Sequence, residues 1–330
     1  MGALFLDPRL SLGSCRSQPH QRREPVEEIK GLLKVYQDGS VERFPVIPLV
    51  SCVASSDGVT SKDVVIDDSS DLWARIYSPN VPGKLPLMVY FHGGGFCVGS
   101  AAWSCYHEFL ANLALRAKCV VVSVNYRLAP ENRLPAPYED GVRTVVWIGQ
   151  QALGGCNEHR WWLSQCNVSD TFLAGDSAGA NIAHNVSLLI SDRIITKVRI
   201  KGIVLIQPFF GGEARTNSEM TNTAVNPVLT LSASDTYWRL SLPPGANRDH
   251  PWCNPQATMA VPRVMVCVSE TDILKDRNLQ YIEAASKTGR RVEAAVYAGV
   301  GHGFQILNKS QLASTRTHEM ISNIRDFINQ

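Results

Sequence analysis

The chain has 330 residues, 45% of them apolar, with 32 basic against 30 acidic side chains and a net charge of +2. That length suits one large α/β domain with additions, and the apolar share is enough for a sizeable core. So even a balance of charge excludes a partner chosen by electrostatics, and no nucleic acid is expected to bind.

Residues 1–25 are polar and basic, with Arg16, His20, Arg22 and Arg23, and are expected to form a loose tail. Leu4, Phe5 and Leu6 are not followed by the apolar run of a signal peptide. No stretch approaches the length of a membrane span. The nine cysteines, at 15, 52, 97, 105, 119, 156, 166, 253 and 267, form no C-x-x-C pair. That spacing weighs against a zinc or redox motif and favours free thiols in a reducing compartment, so a cytoplasmic protein is expected.

Residues 26–60 carry an amphipathic segment (Ile29, Leu32, Leu33, Val35, Tyr36) followed by Val41 and Phe44. It reads as a cap piece or as an ordinary edge helix and strand. From Lys62 strands and helices begin to alternate. Val64–Ile66 and Leu72–Tyr77 read as strands about an acidic turn. Leu85–Phe91 reads as a buried strand entering His92-Gly93-Gly94-Gly95-Phe96. Three consecutive glycines expose backbone N–H groups that could hold a developing oxyanion, each donor being worth roughly 3–4 kcal/mol in a transition state. A helix near 104–117 leads to the strand Cys119–Val124 and to Asn125-Tyr126-Arg127-Leu128-Ala129-Pro130-Glu131. Arg127 there reads as a fork of donors holding loop backbone. A further helix is expected near 139–152.

Thr171–Ala174 reads as a strand, Gly175-Asp176-Ser177-Ala178-Gly179 as a sharp turn and Asn181–Ile190 as a helix. This is the G-x-S-x-G nucleophile elbow, and a glycine loop of the HGGG type upstream is its partner in lipases and esterases. Asp176 reads as an anchor of the turn. Lys201–Ile206 is another strand. The segment 209–254 breaks the rhythm and reads as an insertion over the sheet. Trp238 within it would line a pocket or pack inside the insertion.

A serine needs a base, and on such a sheet the partners follow in the order Ser, Asp or Glu, His. Only His302 and His318 come late enough. His318 sits among Met320, Ile321, Ile324, Phe327 and Ile328, spaced as one helix face. His302 lies in a glycine-rich loop after the strand Val292–Tyr297 and is the better base. The acid should follow the apolar run Val264–Val268. Asp272 is our choice, with Glu270 and Asp276 as rivals.

The segments His92–Phe96, Asn125–Glu131, Gly175–Asn181, Asp272–Leu274 and Gly301–Phe304 together resemble the plant carboxylesterases of the hormone-sensitive-lipase-like α/β-hydrolases. The resemblance runs from about residue 25 to the end. It implies the α/β-hydrolase fold, with a mostly parallel central sheet flanked by helices. The cap would come from about 26–60 and 209–254. It implies a triad of Ser177, Asp272 and His302, and an oxyanion hole of Gly93, Gly94 and Ala178. Ester hydrolysis of small molecules without metal or cofactor is the expected activity. Phe96, Trp238 and Phe304 are the expected pocket residues. The gibberellin receptor resembles this family but lacks the catalytic histidine. The 2-hydroxyisoflavanone dehydratases and some alkaloid cyclases use a similar frame for elimination or rearrangement. His302 speaks against a receptor, and elimination stays open.

Overall fold

A computed structural model describes residues 24–52, 58–155, 157–191, 197–221, 227–255 and 263–330. The tail expected over 1–25 lies outside these residues except for its last two, as do Cys15 and Cys156.

The described chain opens with three short strands, β1 (Glu27–Ile29), β2 (Leu33–Val35) and β3 (Val41–Arg43), paired antiparallel in chain order. This corrects the edge-helix reading of the amphipathic segment. Gly31 and Gly39 take φ of 75° and 81°, which break the run into turns before a helix can propagate. Ile29, Leu33 and Val35 are buried from short strands instead.

A hairpin follows, β4 (Val59–Asp67) and β5 (Leu72–Pro79). Its turn is capped by Asp67, whose carboxylate accepts from the Ser69 N–H. Next come β6 (Leu85–Phe91), α1 (Ser104–Ala117), β7 (Val120–Asn125), α2 (Ala136–Ala152) and the single turn α3 (Arg160–Leu163). The chain continues through β8 (Cys166–Asp176), α4 (Ala178–Ile190) and β9 (Ile200–Ile206). Two helices, α5 (Asn217–Thr221) and α6 (Leu231–Ser241), interrupt the alternation where the insertion was expected. It then resumes with β10 (Arg263–Ser269), α7 (Lys275–Ser286), β11 (Arg291–Tyr297), α8 (Phe304–Leu307) and α9 (Gln311–Ile328). Helix α2 starts three residues earlier than its apolar pattern suggests. Pro137 sits in its first turn, where a missing N–H costs nothing.

Among the described residues, eight strands form one sheet in the order β11-β10-β9-β8-β6-β7-β5-β4. From β7 to β11 every pairing is parallel; β4 and β5 add an antiparallel edge. Side chains alternate between faces along each strand. Leu87, Val89 and Phe91 therefore enter one core, and Met88 and Tyr90 the other. Both faces are covered, so the central strands are apolar throughout. Parallel pairing also brings the C-terminal ends of β6, β8, β10 and β11 to one edge. In open α/β sheets that edge is where ligands bind.

Candidate active site

Strand β8 delivers Ser177 to this edge in a strained conformation, φ 53° and ψ −119°. The turn is held from behind. The Ser177 N–H donates to Ile206 O at 2.8 Å, and the Phe209 N–H donates to Ser177 O at 3.0 Å. The flanking glycines are sterically required. A Cβ on Gly175 would stand 2.4 Å from the Gly179 carbonyl, and one on Gly179 would stand 1.9 Å from Phe91 O. Backbone cannot yield there as a flexible side chain can.

His302 arrives on the loop after β11. Its Nε2 lies 2.9 Å from Ser177 Oγ and its Nδ1 lies 2.7 Å from Asp272 Oδ2. Asp272, on the turn after β10, accepts from the Leu274 N–H with its other oxygen at 3.0 Å. All three side chains are nearly enclosed: Ser177 is 6% exposed, and the His302 and Asp272 side chains 9% and 1%. Burial pulls the His302 pKa down, but the charge and hydrogen bond of Asp272, with the charge of Asp176, carry it above its ordinary value. The rivals stand elsewhere. Glu270 accepts from the Gly299 N–H and so secures the His302 loop, while Asp276 accepts from the Ser218 N–H. His318 is exposed on α9. Arg127 pairs with the Asp140 carboxylate at 2.8 Å and reaches Ala136 O at 3.3 Å, so it holds chiefly a side chain of α2 and not the loop backbone expected of it.

The glycine loop departs from expectation at one position. The Gly93 N–H is already engaged, donating to Tyr106 Oη at 2.7 Å and to Asp176 Oδ1 at 3.1 Å. Gly93 is thereby corrected out of the oxyanion set, because a committed donor cannot also hold a substrate oxygen. Gly94 and Gly95 line the cavity, and among the described residues their N–H groups have no acceptor. Their peptides are anchored at the opposite end. The His92 ring bonds Gly93 O through Nδ1 at 2.7 Å, and the Cys97 and Val98 N–H groups donate to Gly94 O at 3.0 Å. A trans peptide sends N–H opposite to C=O, so fixing those carbonyls fixes the Gly94 and Gly95 N–H directions. Ala178 begins α4, and its N–H has no intrahelical acceptor.

Asp176 is the hub behind the serine. It accepts from Tyr90 Oη at 2.8 Å and Tyr106 Oη at 2.9 Å as well as from Gly93. Burial raises its pKa to about 6 against these hydrogen bonds and the charge of His302. Tyr106 thus ties the elbow to the glycine loop, a role with no sequence motif. Gln207 is a second such residue; it accepts from the Gly303 N–H at 2.7 Å and steadies the His302 loop.

The serine opens into a cavity of about 310 Å³. Its wall is largely apolar, with Leu32, Ile47, Leu229, Tyr237 and Ile306 among its residues. Phe96, Trp238 and Phe304 do not line it, which corrects the expected pocket. They are 0%, 1% and 1% exposed. Phe96 and Trp238 pack with Phe209, whose ring stacks on Trp238 at 4.6 Å, while Phe304 packs against Tyr297 in the core. Aromatic residues beside a motif fill the layer behind a pocket as readily as its surface.

A family described as the alpha/beta hydrolase fold matches residues 88–306. Probable carboxylesterase 6 of Arabidopsis thaliana is 49% identical over 92% of this chain and 91% of its own. The chain belongs to the plant carboxylesterase family of the α/β-hydrolases. A second relative in this carboxylesterase family, the 2-hydroxyisoflavanone dehydratase of Glycyrrhiza echinata, is 34% identical over 93% of this chain and 97% of its own. Among solved structures, a hyperthermophilic esterase of Pyrobaculum calidifontis superposes with a TM-score of 0.69 at 27% identity, covering 83% of this chain and 87% of its own.

Proposed function

We propose that this member of the carboxylesterase family hydrolyses esters of small molecules by two-step acyl transfer. The reading is carried by one observation: Ser177, His302 and Asp272 are hydrogen-bonded in series beside the uncommitted Gly94 and Gly95 N–H groups. His302 takes the Ser177 proton as the hydroxyl attacks the ester carbonyl. Asp272 holds the imidazole in the required tautomer and stabilises its protonated form. The Gly94, Gly95 and Ala178 N–H groups receive the oxyanion. His302 then protonates the departing alcohol, and water repeats the sequence on the acyl-enzyme. Side chains and backbone donors supply every step, so no metal or cofactor is required.

The segment 26–60, with its three short strands, and the insertion at 209–254 act in this reading as a two-piece cap over a single domain spanning 26–330. Leu32 and Ile47 from the first piece and Leu229 and Tyr237 from the second contribute to the cavity wall. No helix among the described residues is long and apolar enough to cross a membrane. Seven described cysteines are unpaired, which supports a reducing compartment, and we take it to be the cytoplasm.

The test replaces Ser177 with Ala and follows p-nitrophenyl acetate. Turnover should fall by about 10⁶-fold, to the level left by removal of a nucleophile; undiminished turnover refutes the assignment. Elimination is the second reading, favoured by similarity to a dehydratase over nearly the whole of both chains. It predicts that Ser177→Ala abolishes ester hydrolysis but spares turnover of a β-hydroxy ketone.

A further inference from the structure

Helix α6 belongs to the insertion, yet its last turn rests on the glycine loop of the active site. Tyr237 and Ser241 lie four residues apart, on one face of the helix. The Tyr237 ring covers Gly95 so closely that a Cβ there would stand 2.2 Å, 2.3 Å and 2.7 Å from three ring carbons. Gly95 itself takes φ of 57°. One turn on, the fully buried Ser241 hydroxyl donates to Gly95 O at 3.2 Å. The Cys97 sulfur lies 3.4 Å from the same hydroxyl. Burial pushes the Cys97 thiol up to about 12, so it stays protonated and donates in turn. The end of the helix is tied down as well. The Leu134 N–H donates to Ser241 O at 2.9 Å, and Arg133 Nη1 donates to Arg239 O and Leu242 O at 2.7 Å each.

Inside the loop, Gly93 O and Gly94 O are anchored by the loop's own residues and His92. The Gly95 carbonyl is held instead from the insertion. We propose that Tyr237 and Ser241 are positioning residues for the oxyanion donors: the ring sets how closely Gly95 sits to the cap, and the hydroxyl fixes the peptide that follows it. The proposal rests on the acyl-transfer reading above. Under it, the insertion governs the rate of covalent chemistry at Ser177 as well as the shape of the cavity. A donor that drifts from its position loses stabilisation that exists only in the transition state, so the loss appears in kcat and not in KM.

The experiment measures the rate at which a fluorophosphonate labels Ser177, followed by intact mass. Its phosphoryl oxygen calls on the same N–H donors as an ester oxyanion. Ser241→Ala should label about tenfold more slowly, a smaller loss than the ~10²–10³-fold seen when an oxyanion donor is removed outright. For p-nitrophenyl acetate, kcat should fall in step while KM stays within about twofold. Thr144→Ala is the control. It deletes a buried hydroxyl on α2 that donates to Asp140 O at 2.9 Å, and it should label at the wild-type rate. Labelling of Ser241→Ala at the wild-type rate overturns the proposal, as does an equal slowing of Thr144→Ala. If Ser241→Ala does not fold, Tyr237→Leu, which strips the ring from Gly95, is judged by the same criterion. Failure of the wild-type protein to label at Ser177 overturns the acyl-transfer reading itself, a separate outcome.

Discussion

His302 is subject to opposing pulls, and under the proposed acyl transfer their balance sets when the enzyme works. Burial disfavours its charged form, while the Asp272 charge, their hydrogen bond and the Asp176 charge favour it and prevail, so its pKa lies above 6.5. Under the proposed acyl transfer, only the neutral ring can accept the Ser177 proton. The kcat/KM of an uncharged ester should therefore fall as pH drops through a midpoint above 6.5, and a midpoint at or below that value contradicts the geometry. Stability follows the opposite sense. A histidine whose folded pKa is raised contributes fully below its unfolded value, and that contribution is lost as pH rises through the folded one. The same residue-scale logic explains the glycines of the elbow. Their absent β-carbons reflect carbonyl oxygens of Phe91 and Gly179 that occupy the space.

At the scale of elements, the insertion is latched to the sheet by contacts of unequal worth. Helix α5 has five residues, too few to hold itself. Ser218 Oγ donates to Ile273 O at 2.7 Å, and Glu219 pairs with Arg277 at 3.0 Å with side chains only 4% and 8% exposed. Arg277 also reaches the carbonyls of Gly212 and Ala214. The first bond closes on the turn that begins with Asp272, and the Arg277 bonds close on α7, which follows it. Glu219→Ala leaves a guanidinium charge buried without its partner and should cost about 3–5 kcal/mol in urea unfolding. The bidentate Glu27–Arg239 pair between β1 and α6 is half exposed on the arginine side. Glu27→Ala should cost no more than about 1 kcal/mol. Equal losses in the two variants would show that burial does not decide these contacts.

Across the whole molecule, the core is built with its thiols inside it. Cys97, Cys119, Cys166, Cys253 and Cys267 are buried and unpaired. Burial raises their pKa values, to about 12 for Cys97, Cys119, Cys166 and Cys267, so little thiolate forms near neutrality. A disulfide-exchange reagent should titrate these five only when urea opens the fold. Rapid reaction of all five in the native protein would mean that the sheet opens far more readily than its packing implies.

The sequence alone determined the alternation of buried strands and helices, the serine elbow and the choice of His302 over His318; it preferred Asp272 but left Glu270 and Asp276 as rivals, and the 2.7 Å contact with His302 Nδ1 belongs to Asp272. Each of these sequence readings depends on local chemistry: apolar periodicity, glycines where a β-carbon cannot fit, and polar residues just past strand ends. Boundaries were less legible. Ile29, Leu33 and Val35 looked helical by spacing until Gly31 and Gly39 turned them into strands. Only the tertiary structure decided which glycine N–H groups are uncommitted, since that depends on Tyr106 arriving from α1 and Asp176 from β8. It alone placed Phe96, Trp238 and Phe304 behind the cavity and brought Tyr237 and Ser241 against Gly95. The physical reason is common to all of these. A residue's type limits the bonds it can make, but a donor is engaged or an aromatic face covered by neighbours distant in the chain.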